Sequence, residues 1–211
     1  MHRPRYRNRA EAGQAVLAAL QSAGRADADS LVVGLARGGL PVAAEVARGL
    51  GAELDVAVVR KLGAPGHEEL ALGAITRDRM VLNDALVRSL RISPDTIDSV
   101  VAAERRELRR RETAYRGGRG PAAMRDRVVI LVDDGIATGA SMRAVALDAR
   151  DQGAARVVIA VPTAPADVVG DFRDVADAFV CPHTPSPFLA VGLSYEHFDQ
   201  TSDDEVRALL S

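Results

Sequence analysis

Apolar and polar positions along the chain follow two periods that trade places in a regular order. Over 9–21, Ala12, Val16, Ala19 and Leu20 recur at helical spacing. Residues 31–34 form a short β-rich run closed by glycine, and 41–50 read as a helix with proline in its first turn, where a missing N–H costs nothing. The pattern predicts a strand over 56–60, a loop over 63–66 from its breakers, strands over 72–75 and 80–82, and a helix over 84–90. Ser93-Pro94-Asp95 is a helix start, with a capping hydroxyl, proline at the first helical position and an acid where the helix dipole favours one. That helix is expected to reach Tyr115 and stop before Gly117-Gly118. Val128–Val132 is a continuous apolar run of the kind buried on both faces of a sheet. Beyond it the pattern predicts a helix over 141–151, a strand over 157–161, a short helix over 165–169, a strand over 178–181 and a terminal helix over 203–210.

Strands alternating with helices imply an α/β fold with a doubly wound, mainly parallel sheet. In such sheets ligands bind at the carboxyl ends of the strands, near the point where strand order reverses. The residues that follow each strand are therefore the candidates for function.

Composition narrows the classes. The 211 residues are 47% hydrophobic and 27% charged, a globular balance. No apolar run approaches the roughly 18 residues that span a bilayer, and no apolar segment follows the basic N-terminus, so neither a membrane anchor nor a secretory signal is expected. One cysteine, Cys181, makes no internal disulfide and no cysteine-cluster metal site, and a cytoplasmic setting is the expectation. With 27 basic and 29 acidic residues, and aromatics at 3%, neither a cationic field nor a stacking platform for nucleic acid is expected. The charged run 104–112 interleaves its signs, with Glu107 and Arg111 at i,i+4, as a solvated or subunit-contact helix face does. The basic stretch 3–9 reads as a frayed start. Lys61 is the only lysine in a chain that otherwise uses arginine.

The chemistry concentrates after the strand Val128–Val132. There Asp133, Asp134, Gly135, Ile136, Ala137, Thr138, Gly139, Ala140 and Ser141 lead straight into a helix. Glycines let backbone N–H groups turn inward, the helix N-terminus adds positive potential, and Thr138 and Ser141 supply hydroxyls, which together make a phosphate cradle. The segment is neither a Walker A loop nor a dinucleotide fingerprint. Two carboxylates beside a phosphate site suit sugar hydroxyls, a divalent metal or developing positive charge.

Residues 128–141 resemble the phosphoribosyl-pyrophosphate (PRPP) motif of the type I phosphoribosyltransferases. The resemblance implies that Asp133 and Asp134 hold the ribose 2′- and 3′-hydroxyls and that Gly135 to Ser141 bind the 5′-phosphate. Ala36, Arg37, Gly38 and Gly39, after the first core strand, resemble the family's pyrophosphate loop, with alanine where many relatives carry proline. Arg60 and Lys61 resemble the start of the mobile loop that closes over pyrophosphate, here 61–70. His67 in that loop has either pyrophosphate or water as its neighbour. His183 and Phe188 fall where hood residues meet the acceptor in this family. Phe188 and Tyr195 are either base-stacking residues or pins for the C-terminal segment.

The resemblance further implies one phosphoribosyltransferase domain over 1–211, of a bacterial branch of the family. Its core lies at about 6–83 and 121–181, a helical insertion at about 84–120 and a C-terminal hood at about 182–211. The implied reaction moves the phosphoribosyl group to a nitrogenous, nucleobase-like acceptor with release of pyrophosphate, Asp133, Asp134, Lys61 and Arg37 carrying catalysis. The implied cofactor is Mg²⁺, held mainly through PRPP and water, and the implied assembly a homodimer. Two other readings stay open: a PRPP-binding regulator without transferase activity, and a sugar-phosphate hydrolase.

Overall fold

The computed structural model describes residues 5–65 and 67–211, with the side chains at 67–69 and 71 outside the description. In chain order the elements are α1 Arg9–Ser22, β1 Leu31–Leu35, α2 Gly39–Leu50, β2 Glu53–Ala57, β3 Arg60–Ala64, β4 His67–Ile75, β5 Met80–Leu82, α3 Asp84–Ser89, α4 Pro94–Arg116, β6 Val128–Val132, α5 Ala140–Asp151, β7 Arg156–Ala160, β8 Ala178–Val180 and α6 Asp203–Leu210. Short 3-10 helices cover Val168–Phe172 and Val191–Ser194. Among the described residues no helix is long and apolar enough to cross a membrane.

Five strands form a parallel sheet in the order β2-β1-β6-β7-β8. Its faces follow the two-residue period of extended chain. Leu31, Val33, Leu131 and Ile159 meet Met142 and Val145 of α5 on one face. Val32, Ile130 and Val158 meet Val16 of α1 and Val42 and Val46 of α2 on the other. Both faces are covered, which is why these strands read as unbroken apolar runs.

The remaining strands form a separate antiparallel sheet, β3-β4-β5. The strand expected over 56–60 is two strands of two sheets, β2 and β3, because the apolar run through buried Val58 conceals the break between them. The loop expected over 63–66 begins inside β3, where pairing with β4 slips on both sides of Gly63, so this glycine marks an irregularity within a hairpin. Gly66 and the side chain of His67 lie outside the described residues.

The segment expected as an insertion consists of α3 and α4. Ser93 caps α4 by accepting from Thr96 N–H, and Gly117 ends it in a left-handed conformation, φ 58°. Val101, Leu108 and Tyr115, seven residues apart, bury one stripe of α4 against Leu62, Leu72 and Ile75 of the second sheet and Val206 of α6. At its end Arg116 Nε lies 2.9 Å from Asp55 Oδ1, both side chains 8% exposed, and Asp55 Oδ2 also accepts from Ala122 N–H at 2.8 Å. The charged run on this helix is solvated in part: Glu107 pairs with Arg110 and Arg111, whereas Glu112 is buried between Arg77 and Arg116.

Two further expectations change. Instead of a helix over 165–169, Val168–Phe172 forms a 3-10 turn after a turn in which Val168 N–H bonds Pro165 O. The N-terminal stretch, expected to fray, is fixed from Arg5 onward: Arg5 and Tyr6 N–H both reach Ser194 O, and buried Tyr6 donates its hydroxyl to Pro162 O at 2.9 Å.

Candidate active site

From β1 the chain order runs outward one way to β2, and from β6 the other way to β7, so the reversal falls between β1 and β6. The loops after these two strands lie side by side at that crevice, and both lead into helices. Gly38 precedes α2 and Gly139 precedes α5, and neither helix has a side-chain cap. Among the described residues the other α-helices, α1, α3, α4 and α6, are capped by Asn8, Asn83, Ser93 and Ser202. The first N–H groups of a helix have no partner within it, so α2 and α5 turn uncapped, electropositive ends to the crevice.

Gly38 and Gly39 let the first loop lie flat on the acidic pair. A Cβ on Gly39 would stand 2.7 Å from both Asp133 Cα and Val132 O, and one on Gly38 would stand 2.1 Å from Asp134 Oδ2. The Ala36–Arg37 peptide is cis. Arg37 Nη1 reaches Asp203 Oδ1 of α6 at 3.4 Å, and the same oxygen accepts the Tyr115 hydroxyl at 2.7 Å. That phenol is pushed up to about 12, by burial first and by Asp203 second.

Asp133 and Asp134 occupy the floor. Asp133 Oδ1 accepts from Asp134 N–H at 2.9 Å. Burial, and then the charge of Asp134, push Asp133 well above the usual carboxylate range, with Arg9 and Lys61 pulling it back. Burial raises Asp134 as well, opposed by Arg9. Arg9 Nε and Nη2 donate to Asp134 Oδ2 at 3.0 and 2.8 Å. The Tyr195 hydroxyl donates to Asp134 O at 2.6 Å.

Along the second loop the structure assigns unequal parts. Ala137 and Thr138 are exposed, and Gly139, Ala140 and Ser141 form the turn into α5, with Gly139 at φ 77°. Ile136 departs from its expected role: its side chain is 3% exposed and its N–H bonds Thr163 O at 3.0 Å. Its backbone donor is thus committed, and it anchors the loop instead of lining it.

Thr138, Gly139 and Ala140 also line a cleft of about 1020 Å³, with Lys61 of β3 on its rim. Leu82 at the end of β5 and Leu86 within α3 lie along the same cleft. Lys61 is exposed, whereas the adjacent Arg60 pairs with Glu104 of α4 at 2.5 Å. Lys61 lies within β3, which pairs with β4 as a hairpin over the stretch expected to form the mobile loop.

His183 and Phe188 do not line this cleft. His183 lies past β8 with its ring edge-on to Tyr6, centroids 6.2 Å apart, and Phe188 is half-buried. Tyr195 is a pin and not a stacking platform, packed against Tyr6 and Phe198 at 5.7 and 4.9 Å. Cys181 is half-buried, donates weakly to His183 O and is pushed up by burial to about 11.

Arg9, Asp203 and Tyr115 were not singled out by sequence reasoning. Each reaches the crevice from another part of the chain, Arg9 across 125 residues. The one local hint is helix phase, which sets Arg9 at the first position of α1 behind its Asn8 cap.

Similarity to known proteins follows the same geography. A model of the phosphoribosyl transferase domain matches residues 11–188, from α1 through both loops into the C-terminal segment. A Mycobacterium tuberculosis protein, provisionally named a phosphoribosyl transferase in strains CDC 1551 and H37Rv, is 50% identical over 181 residues, 85% of this chain. The chain spans 41% of the length of these curated relatives. The crystal structure of TT1426 from Thermus thermophilus is 42% identical and superposes with a TM-score of 0.81 over 98% of this chain and 97% of that one. With both loops inside the matched stretch and the parallel sheet beneath them, the chain belongs to the phosphoribosyl transferase domain family.

Proposed function

We propose that the chain transfers the 5-phosphoribosyl group of PRPP to a nitrogenous, nucleobase-like acceptor and releases pyrophosphate. The observation that carries this reading is the meeting of two uncapped helix N-termini, α2 and α5, over the Asp133–Asp134 pair at the reversal of strand order. Two anion sites a short distance apart with carboxylates between them match a molecule bearing a phosphate at one end, a pyrophosphate at the other and a diol in the middle.

In this reading the 5′-phosphate takes the N–H groups of the turn into α5, with the hydroxyls of Thr138 and Ser141. Asp133 and Asp134 accept from the ribose hydroxyls, which only their ionised forms do fully. Ala36 to Gly39 and the end of α2 receive pyrophosphate, and Arg37 and Lys61 stabilise its charge as the C1′–O bond breaks. The carboxylates beside the ribose favour the positive charge that develops at C1′. The acceptor nitrogen then attacks C1′ from the face opposite the departing pyrophosphate, near the hood residues His183 and Phe188. Lys61 stands on the hairpin that borders the cleft, positioned to exclude water from the reacting centre.

The donor set fits a magnesium ion carried by the substrate. Asp134 Oδ2 is engaged by Arg9, which leaves the acidic pair its remaining oxygens to offer to the substrate. Mg²⁺ held through pyrophosphate, ribose oxygens and water would supply charge neutralisation on the leaving group. A cytoplasmic homodimer, one domain per chain with 84–120 as its insertion and 182–211 as its hood, completes the proposal.

The test is calorimetric titration of PRPP with and without Mg²⁺ against ribose 5-phosphate, followed by pyrophosphate release over a panel of nitrogen heterocycles. Magnesium-dependent PRPP binding, tighter than ribose 5-phosphate, with release only when an acceptor is present, is expected. PRPP binding with no turnover across the panel favours the regulatory reading. Acceptor-independent release of inorganic phosphate from ribose 5-phosphate favours the hydrolase.

A further inference from the structure

Arg9 is the densest junction in the site, yet it belongs to neither loop. Two of its nitrogens hold a single oxygen, Asp134 Oδ2, and the third, Nη1, donates to Asp199 O at 2.6 Å. Its guanidinium lies over the Phe198 ring, 4.1 Å from the centroid, and that ring stacks on Tyr195, whose hydroxyl holds Asp134 O. Asp134 is thus fixed twice, through its carbonyl by Tyr195 and through its carboxylate by Arg9. Both side chains of the ion pair are largely enclosed, at 13% and 16% exposure. The Gly38 backbone closes the other side of Oδ2.

A carboxylate gripped at one oxygen by two donors loses its freedom to rotate about the Cβ–Cγ bond. Among the described residues Oδ1 is the oxygen left for a ligand. We propose that Arg9 is a positioning residue: by holding Asp134 Oδ2 it presents Oδ1 to a ribose hydroxyl of the substrate. This inference rests on the phosphoribosyl reading above. The alternative is a staple that merely ties α1 to the C-terminal segment, and the two differ in what they do to ligands. A staple affects every ligand of the site alike, whereas a positioning residue affects the sugar and spares the phosphate cradle of α5.

The experiment titrates inorganic phosphate and ribose 5-phosphate into the parent chain, Arg9→Met and Arg9→Lys, with melting curves to establish folding. The readout is the ratio of the two affinities. Arg9→Met is expected to leave phosphate within about twofold and weaken ribose 5-phosphate by about tenfold or more. Arg9→Lys is expected to fall between, at about threefold or more below the parent ratio, since an ammonium offers a point charge in place of a planar fork. An unchanged ratio in Arg9→Met, including equal weakening of both ligands, overturns the proposal. Should Arg9→Met not fold, Arg9→Lys decides alone, and an unchanged ratio there overturns it. A parent chain that binds ribose 5-phosphate no tighter than phosphate overturns the phosphoribosyl reading and this inference with it. A parent with a clear sugar preference that Arg9→Met retains overturns only the role of Arg9.

Discussion

Gly38 and Asp134 touch across the crevice so closely that a Cβ on the glycine would lie 2.1 Å from Oδ2 and 2.9 Å from Cγ. Gly38 has φ −61° and ψ −32°, which any residue adopts, so space and not backbone freedom keeps glycine here. Gly38→Ala should therefore fold, displace the Asp134 carboxylate from Arg9 and weaken ribose 5-phosphate by about tenfold. Gly39→Ala is the contrast: its Cβ would meet backbone, Asp133 Cα and Val132 O, at 2.7 Å. It should lower stability by about 1–3 kcal/mol, the range for overpacking. Denaturation curves beside the ligand titration separate the two outcomes, and an equal stability loss in both variants would refute the distinction.

Arg37 carries its own counter-ion in Asp203, at 3.4 Å, on a helix that also packs against α4 through Val206. An acid beside an arginine proposed to bind pyrophosphate repels that ligand as well as orienting the arginine. The contact is long and partly exposed, so orientation is the smaller effect. Asp203→Ala should tighten pyrophosphate binding by about two- to fivefold, more at low salt than at high. Weaker binding in calorimetry would instead make Asp203 an orienting partner.

The strands and the two loops were legible because their signals are local. A run such as Val-Val-Ile-Leu-Val from Val128 to Val132 declares a doubly covered strand, and the Gly-rich turn after it declares a tight entry into α5. What escaped detection is long-range or continuous. The apolar run through Val58 and Val59 conceals the passage from one sheet to the other, since both sides are buried or half-buried. Arg9 is one of several arginines in a basic stretch, and only its place at the start of α1 distinguishes it from Arg5 or Arg7. Its partners are Asp134, Phe198 and Asp199. Ile136 erred in the other direction, where motif reading assigned a ligand contact to a residue whose burial makes it an anchor.

Lys61 stands on the rim of the cleft, exposed, while its neighbour Arg60 is tied to Glu104. In the proposed reading the exposed ammonium, and not the paired guanidinium, is then the cation available to pyrophosphate. Lys61→Ala should weaken PRPP and pyrophosphate by about tenfold and leave inorganic phosphate and ribose 5-phosphate unchanged. Arg60→Ala should have the smaller ligand effect, and competition titrations that reversed this order would reassign the role.

Arg116 and Asp55 hold α4 against the edge strand β2. The guanidinium also donates to Val56 O at 2.5 Å, and Asp55 accepts from both Arg116 and Ala122. Arg116→Met leaves a buried carboxylate short of its cation, a change that costs about 3–5 kcal/mol. The double variant Arg116→Met, Asp55→Leu should recover part of that loss by removing the stranded charge. Urea denaturation of the four forms measures the coupling, and additive effects would mean that the pair contributes nothing as a pair.

Acidity should act on stability and on ligand binding in opposite senses. Asp133 is raised well above the carboxylate range by burial and by Asp134. Between the ordinary aspartate value and that raised value, the native chain binds a proton that the unfolded chain has released. Stability of the ligand-free protein therefore falls as pH rises through this window, by at most about 1.4 kcal/mol per pH unit for one proton. Ribose hydroxyls, however, donate to the ionised carboxylate, so ribose 5-phosphate affinity should rise over the same window. Asp133→Asn removes the titrating group and should flatten the stability slope relative to the parent, the contributions of Asp134 and Asp148 remaining in both. Melting temperatures and titrations of parent and variant from pH 5 to pH 8 provide the comparison. A parent slope identical to that of Asp133→Asn would mean that Asp133 is ionised throughout, as Arg9 and Lys61 favour, and that their charges outweigh its burial.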